Sequence, residues 1–176
     1  MKYIIMTEGT CEKALIDVLI KKGIFNIPNE SLLYEEVFHA RQINGKLLEK
    51  IYQLPHQETI SIIRIGDLLT DELEIPNELK NRVEENLKIC IKPEFEILHL
   101  IYEGKIDEYI GKHKSSKKAS EYLYQIDKKY QKTYKYNYTF FDSLSNEEIR
   151  NLIKNYSLKR KHVHEKDEEL LEKLIN

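Results

Sequence analysis

Residues 2–6, Lys-Tyr-Ile-Ile-Met, form a short apolar run that predicts a buried strand. Thr7-Glu8-Gly9-Thr10 reads as a turn with Thr10 as helix N-cap. Residues 11–22 follow with Ala14, Leu15, Val18 and Leu19 on one helical face, stopped at Gly23. Residues 32–38 predict a second strand. Residues 44–54 predict a helix with Leu47, Leu48, Ile51 and Leu54 as its stripe, ended by Pro55. Residues 59–65, Thr-Ile-Ser-Ile-Ile-Arg-Ile, are β-branched and nearly continuously apolar, as suits a central parallel strand. A helix near 77–86, a strand near 87–91 and a helix opened by Pro93 and running to about Glu103 complete a βαβαβαβα order. That alternation predicts an α/β, Rossmann-like fold: a mostly parallel sheet flanked by helices. Such sheets bind ligands at the carboxyl ends of their strands. Beyond residue 104 the pattern is helical, over 105–112, 117–131, 145–156 and 163–175, with the Tyr-rich 132–144 suited to an edge strand. No Pro-, Gly- or Ser-rich linker and no repeat interrupts the chain. The expected organisation is therefore a 1–104 α/β core with a 105–176 helical extension packed on the same domain.

Composition narrows the classes. At 176 residues, with 41% hydrophobic and 33% charged side chains, the chain is long enough to bury a core without staples. Two cysteines, Cys11 and Cys90, make neither a disulfide framework nor a Cys₄ zinc site. No apolar run reaches the roughly 18 residues of a membrane span, and the opening apolar stretch is too short for a signal peptide. The expectation is a cytoplasmic, reducing location with no membrane partner. A net charge of −2 does not point to nucleic acid, but the charge is unevenly spread. Residues 105–135 hold nine lysines against four acids, and eight of the twelve tyrosines lie between Tyr102 and Tyr138.

The acidic residues sit where strands end. Glu8 follows the first strand, and Glu12 lies one helical turn further on. Asp67 follows the third strand after Gly66, and Asp71 lies four residues beyond it. A parallel sheet brings Glu8, Glu12 and Asp67 to one end, with Asp71 as a further candidate. Converging carboxylates repel unless a cation sits among them. Oxygen donors without imidazole suit Mg²⁺ or Mn²⁺ rather than zinc, and such an ion can offset phosphate charge and activate water. The plainer reading is that acids at a helix start favour its dipole and that charged strand ends are solvated loops. Spacing alone leaves both open.

At these residues the sequence resembles the Toprim superfamily, with its hydrophobic strand ending in Glu-Gly and a later strand ending in Asp-x-Asp. Tyr3-Ile4-Ile5-Met6-Thr7-Glu8-Gly9-Thr10-Cys11-Glu12 is similar to the Glu-Gly-x-Ser/Thr-Glu motif of OLD-type nucleases, with Cys11 at the Ser/Thr position. Lys92-Pro93-Glu94-Phe95-Glu96 resembles the Pro-x-Phe-Glu helix start of RloB-like Toprim proteins. The resemblance covers residues 1–104. It implies a Toprim fold and a metal-dependent nuclease, with Glu8 as general acid/base, Glu12 and Asp67 as metal ligands, Asp71 as a weaker ligand, Glu96 near the site and Gly9 as the tight turn after the strand. It also implies a bacterial or phage-defence setting and a separately encoded ATPase partner. One aspartate of Asp-x-Asp is missing. With Asp67 as the second, the first is Ile65; with Asp67 as the first, the second is Leu69.

Lys112-His113-Lys114-Ser115-Ser116-Lys117-Lys118 has the composition of a phosphate-contacting loop, with tyrosines nearby that can stack on bases. A solvated, Lys-rich helix face is the plainer reading. His162 and His164 point about 200° apart on a helix and do not pair. Cys11 at a helix start has no assignable base, and packing suits it better. There is no Walker A loop, Gly-x-Gly-x-x-Gly or Gly-x-Ser-x-Gly. Two expectations follow: a Mg²⁺- or Mn²⁺-dependent nuclease acting on DNA or RNA, with Lys112, Lys114, Lys117 and Lys118 on the backbone, or a catalytically degenerate Toprim-like subunit that binds nucleic acid or a protein partner.

Overall fold

The computed structural model describes residues 1–176. Five strands form one all-parallel sheet in the order β2-β1-β3-β4-β5. They are β1 (Lys2–Thr7), β2 (Leu32–His39), β3 (Ile60–Gly66), β4 (Val83–Cys90) and β5 (Glu168–Glu169). Helices α1 (Thr10–Lys21) and α2 (Gly45–Tyr52) connect the first three strands. They are followed by α3 (Ile97–Tyr102), α4 (Ile106–Glu108, continued by a wide turn to His113), α5 (Ala119–Ile126), α6 (Tyr134–Ser143) and α7 (Asn146–Arg160). None of these helices is long and apolar enough to cross a membrane.

Strand alternation sorts the core into two layers. Ile5, Ile63 and Ile65 face one way, into a cluster with α1, α3, α6 and α7; Ile4, Met6, Ile60 and Ile62 face the other, against Leu47 and Ile51 of α2. The larger cluster joins residues from both sides of position 104, including Leu15, Leu98, Phe141, Ile153 and Leu171. Helix α2 begins at Asn44, whose side chain accepts from the Leu47 amide at 3.0 Å. Helix α7 begins at Ser145 in a capping box with Glu148. Because α1 and α2 lie on opposite faces, β1 and β3 diverge in their connections, and the crevice at their carboxyl ends is the topological switch point of the sheet.

Several sequence expectations are corrected. Gly9, not Thr10, occupies the N-cap of α1, and Thr10 is its first helical residue. Residues 77–86 hold a single tight turn at Asn77–Leu79, and β4 starts at Val83, because pairing with β3 supplies the backbone partners that a short, polar helix would otherwise need. Pro93 precedes α3 rather than opening it: Ile97 and Leu98 donate to Glu94 and Phe95 in tight turns at 3.1 Å, and the regular ladder starts only with Leu100 on Glu96. Residues 132–144 are helix α6, not an edge strand. Thr133 caps it, and Asn137 and Phe141 are buried, so docking overrides the β propensity of Tyr and Thr. The helix expected over 117–131 is cut to α5. The one expected over 163–175 is replaced by β5 between two tight turns. There Glu168 is held by Lys92 at 2.7 Å, and Leu171 and Leu174 fill the core without a continuous helix.

Edge strand β2 is irregular. Its register on β1 shifts between Leu32 and Val37, and Tyr34 and Glu35 take left-handed backbone angles, φ 55 and 53°.

Candidate functional site

The switch point carries the acidic residues. Glu8 emerges from β1, its amide donating to the Ile65 carbonyl at 2.8 Å, so the β1–β3 ladder itself fixes its direction. Gly66 lies across from it, and a side chain there is excluded: a Cβ would stand 2.7 Å from Glu8 Cβ and closer still to Glu8 Oε2. Gly9 plays the same part for Glu12, whose carboxylate folds back over the glycine. Two glycines therefore clear the space in which Glu8 and Glu12 sit.

Glu8, Glu12, Asp67 and Glu96 act on one another. Glu12 is 4% exposed on the first turn of α1. Burial, with Glu8 and Glu96 adding repulsion, pushes its carboxyl up to about 7. Asp67, just past β3, is pushed up to about 8 by burial and then by Glu12, Glu96 and Glu8. Glu96 is fully buried at the start of α3; Tyr130 Oη donates to its Oε1 at 2.8 Å and Lys132 Nζ approaches the same oxygen at 3.1 Å. Glu8 Oε1 pairs with Arg41. Glu8 Oε2 and Asp67 Oδ1 are buried and have no hydrogen-bond partner. A buried carboxylate oxygen left unpaired is costly. An all-oxygen set with two such atoms fits a hard divalent cation, and Glu8, Glu12, Asp67 and Glu96 are the residues available to hold it. As the side chains stand, no three acidic, cysteine or histidine groups form a ready-made metal cage. Holding an ion therefore requires the carboxylates to draw inward.

Asp71 stands apart from the others. It is exposed, its carbonyl accepts from Arg64 Nη1 at 2.7 Å, and its charge acts on that buried guanidinium. Ile65 and Leu69, the two positions where a second aspartate would complete Asp-x-Asp, are both buried.

The basic segment borders the site through the β4–α3 loop. Lys114, Ser115, Ser116, Lys117 and Lys118 face Pro93 and Glu94 across an open cleft of about 480 Å³. Glu94 is tied to the Ser120 amide at 3.0 Å. Lys114 and Lys118 are exposed and Lys117 is half-buried; Lys112 is exposed but lies outside the cleft.

No protein-family model matches the chain, and no curated protein or solved structure is significantly similar to it.

The remaining candidates are structural. Burial pushes the Cys11 thiol up to about 12, and Asn137 Nδ2 lies 3.3 Å from its sulfur, so it packs against α6 rather than acting as a nucleophile. His164 is buried against Tyr156 Oη at 3.1 Å and near Glu168, while His162 is exposed. Arg41, Tyr130 and Lys132, which complete the polar contacts around Glu8 and Glu96, are not recognisable as site residues from their sequence positions. Each lies in a connecting segment, and only the docking of α6 on α1 brings Tyr130 and Lys132 within reach. The signal that did exist was Lys132 in the lysine-rich window.

Proposed function

We propose that this chain is a divalent-metal-dependent nuclease of Toprim-like design, acting on phosphodiester bonds of nucleic acid. The observation that carries this reading is the convergence of Glu8, Glu12, Asp67 and Glu96 at the switch point of a parallel sheet, with Glu8 Oε2 and Asp67 Oδ1 buried and unpaired. The resemblance of the Glu8–Glu12 motif supports it. When bound, Mg²⁺ or Mn²⁺ supplies charge neutralisation at a phosphate and a more acidic water. Glu12, Asp67 and Glu96 hold the ion. Glu8, one oxygen paired to Arg41 and the other free, moves a proton at the scissile oxygen. Lys114, Lys117 and Lys118 hold the flanking backbone phosphates in the cleft beside Glu94.

A second reading has its own observation. Ile65 and Leu69 fill the positions of the absent aspartate and are packed inside, which favours a site that binds without cutting. Calorimetric titration of Mg²⁺ and Mn²⁺ into wild type, Glu8→Gln and Asp67→Asn, followed by cleavage assays on tRNA, single strands and duplex DNA, separates the two. Ion binding lost in Asp67→Asn, with cleavage lost in a folded Glu8→Gln, is the nuclease outcome. Ion and nucleic-acid binding without cleavage is the binding-subunit outcome. Cleavage left intact by Glu8→Gln removes the proposed mechanism.

A further inference from the structure

Lys132 lies in the connection between α5 and α6, and that connection is fixed at both ends. Tyr130 is buried with its hydroxyl on Glu96. Asn137 Nδ2 donates to the carbonyls of Gln131 at 3.4 Å and Thr133 at 2.8 Å, and Thr133 Oγ1 accepts from the Tyr136 amide at 3.3 Å. The backbone of Lys132 is thus held in place while its side chain stays 55% exposed. Its ammonium sits 3.1 and 3.4 Å from the two oxygens of the fully buried Glu96, and no other residue bonds it. Its charge reaches Glu12, Asp67 and Cys11 as well as Glu96. Around it, Glu12 is 4% exposed and no other residue hydrogen-bonds its carboxylate, while Asp67 Oδ1 has no partner at all. Two cations pair with the cluster, Lys132 with Glu96 and Arg41 with Glu8 from the β2–α2 loop.

We propose that Lys132 is a tethered counter-ion of the carboxylate cluster, which a divalent cation displaces when it enters. This inference rests on the metal reading of the site given above. A single ammonium offsets one charge of the cluster, and it bonds Glu96 while leaving Glu8 Oε2 and Asp67 Oδ1 without a partner. A divalent ion offsets two charges and draws several carboxylates inward. The two cations compete for Glu96, so the half-exposed lysine must swing toward solvent as the ion arrives. Lys132 thereby lowers the affinity for the divalent ion while keeping the ion-free cluster from repelling itself apart. It is a positioning residue for the ion-free state and not an ion ligand.

The test uses the full chain and Mn²⁺ alone. Titration calorimetry compares wild type with Lys132→Met and Lys132→Gln, and thermal unfolding of each is followed in excess chelator near pH 8, with circular dichroism to establish the fold. Removing the competing charge is expected to tighten Mn²⁺ binding by about tenfold or more and to lower the melting temperature in chelator. Equal or weaker Mn²⁺ binding in both folded variants overturns the counter-ion role and leaves the metal reading standing. Mn²⁺ binding by none of the three proteins overturns the metal reading, and the exchange falls with it. Lys132→Gln keeps a polar, hydrogen-bonding side chain without the charge, so it decides the matter if Lys132→Met does not fold.

Discussion

Asp67→Asn should stabilise the ion-free protein at alkaline pH while removing its response to divalent ions. In the unfolded chain an aspartate releases its proton near pH 4. In the folded protein, burial and the neighbouring carboxylates hold that proton until about pH 8. Between these values the folded state carries a proton that the unfolded state has lost. Stability therefore falls as pH rises through the window and is fully recovered only below it. Glu12, pushed up to about 7, adds to the same slope. Burying an unpaired ion costs several kcal/mol at full depth. A shift of that size would carry roughly 5–6 kcal/mol at most; Asp67 is partly open to water and lies within reach of the Lys132 charge, so screening reduces the expected cost to about 2 kcal/mol. Asparagine cannot ionise and escapes it. For a chain of this length, a change of about 2 kcal/mol corresponds to a rise of roughly 4–8 °C in melting temperature. The assay is thermal unfolding of both proteins in chelator at about pH 5 and about pH 8.5. The difference should be small at the lower pH, grow across the window and reach its full value at the higher one. His99 and His164, both held below the ordinary histidine range by burial, destabilise the fold as pH drops below about 6.5. They do so equally in both proteins and cancel in the difference. Saturating Mn²⁺ should raise the melting temperature of wild type and leave that of the variant unmoved. A difference that does not change with pH, or an Asp67→Asn protein that melts lower at about pH 8.5, would refute the reasoning.

Other consequences are equally direct. Gly66→Ala places a methyl group against Glu8 Cβ and its carboxylate. It should cost about 1–3 kcal/mol in denaturant unfolding and weaken ion binding at least about tenfold, because Glu8 must leave its place. Lys117→Glu with Lys118→Glu should weaken nucleic-acid binding and flatten its dependence on salt, since each lost phosphate contact removes close to one released counterion; an unchanged salt slope would place the polyanion elsewhere. Phe141→Ala should cost about 3–5 kcal/mol, because Phe141 is fully buried against Phe95 and His99 and holds α6 on the core. Loss of that docking should abolish ion binding too, which calorimetry on the folded fraction would show.

The N-terminal half of this fold is legible in sequence because its signals are local. The run Ile60–Gly66 is buried on every residue because both faces of β3 are covered, and α2 announces itself through Leu47 and Ile51 one turn apart. Glu8 and Asp67 were legible for the same reason: each directly follows a recognisable strand. The C-terminal half reads poorly because its partners decide its structure. Tyr134–Ser143 carries the side chains of a strand, yet it coils because Asn137 and Phe141 must both turn inward, onto Cys11 and onto Phe95 and His99. Leu170, Leu171, Leu174 and Ile175 have helical spacing, but the preceding Glu168 and Glu169 are drawn into a parallel pairing with Lys88 and Ile89, which leaves only a tight turn at Leu171–Leu174. Asp71, four residues past Asp67, looked equivalent to it in spacing. The loop instead spends its carbonyl on the buried Arg64 and turns the carboxylate to solvent.

The two borders of the sheet bear on behaviour at high concentration. An open row of amides and carbonyls along a flat strand is a template for a neighbouring molecule to extend. Here one border is β2, broken midway by the left-handed pair Tyr34 and Glu35, and the other is β5, two residues long and made of Glu168 and Glu169. Neither presents a straight, uncharged run long enough to seed strand-by-strand growth. A fold whose central strand holds four isoleucines in seven residues thereby keeps that segment enclosed between β1 and β4, away from other molecules.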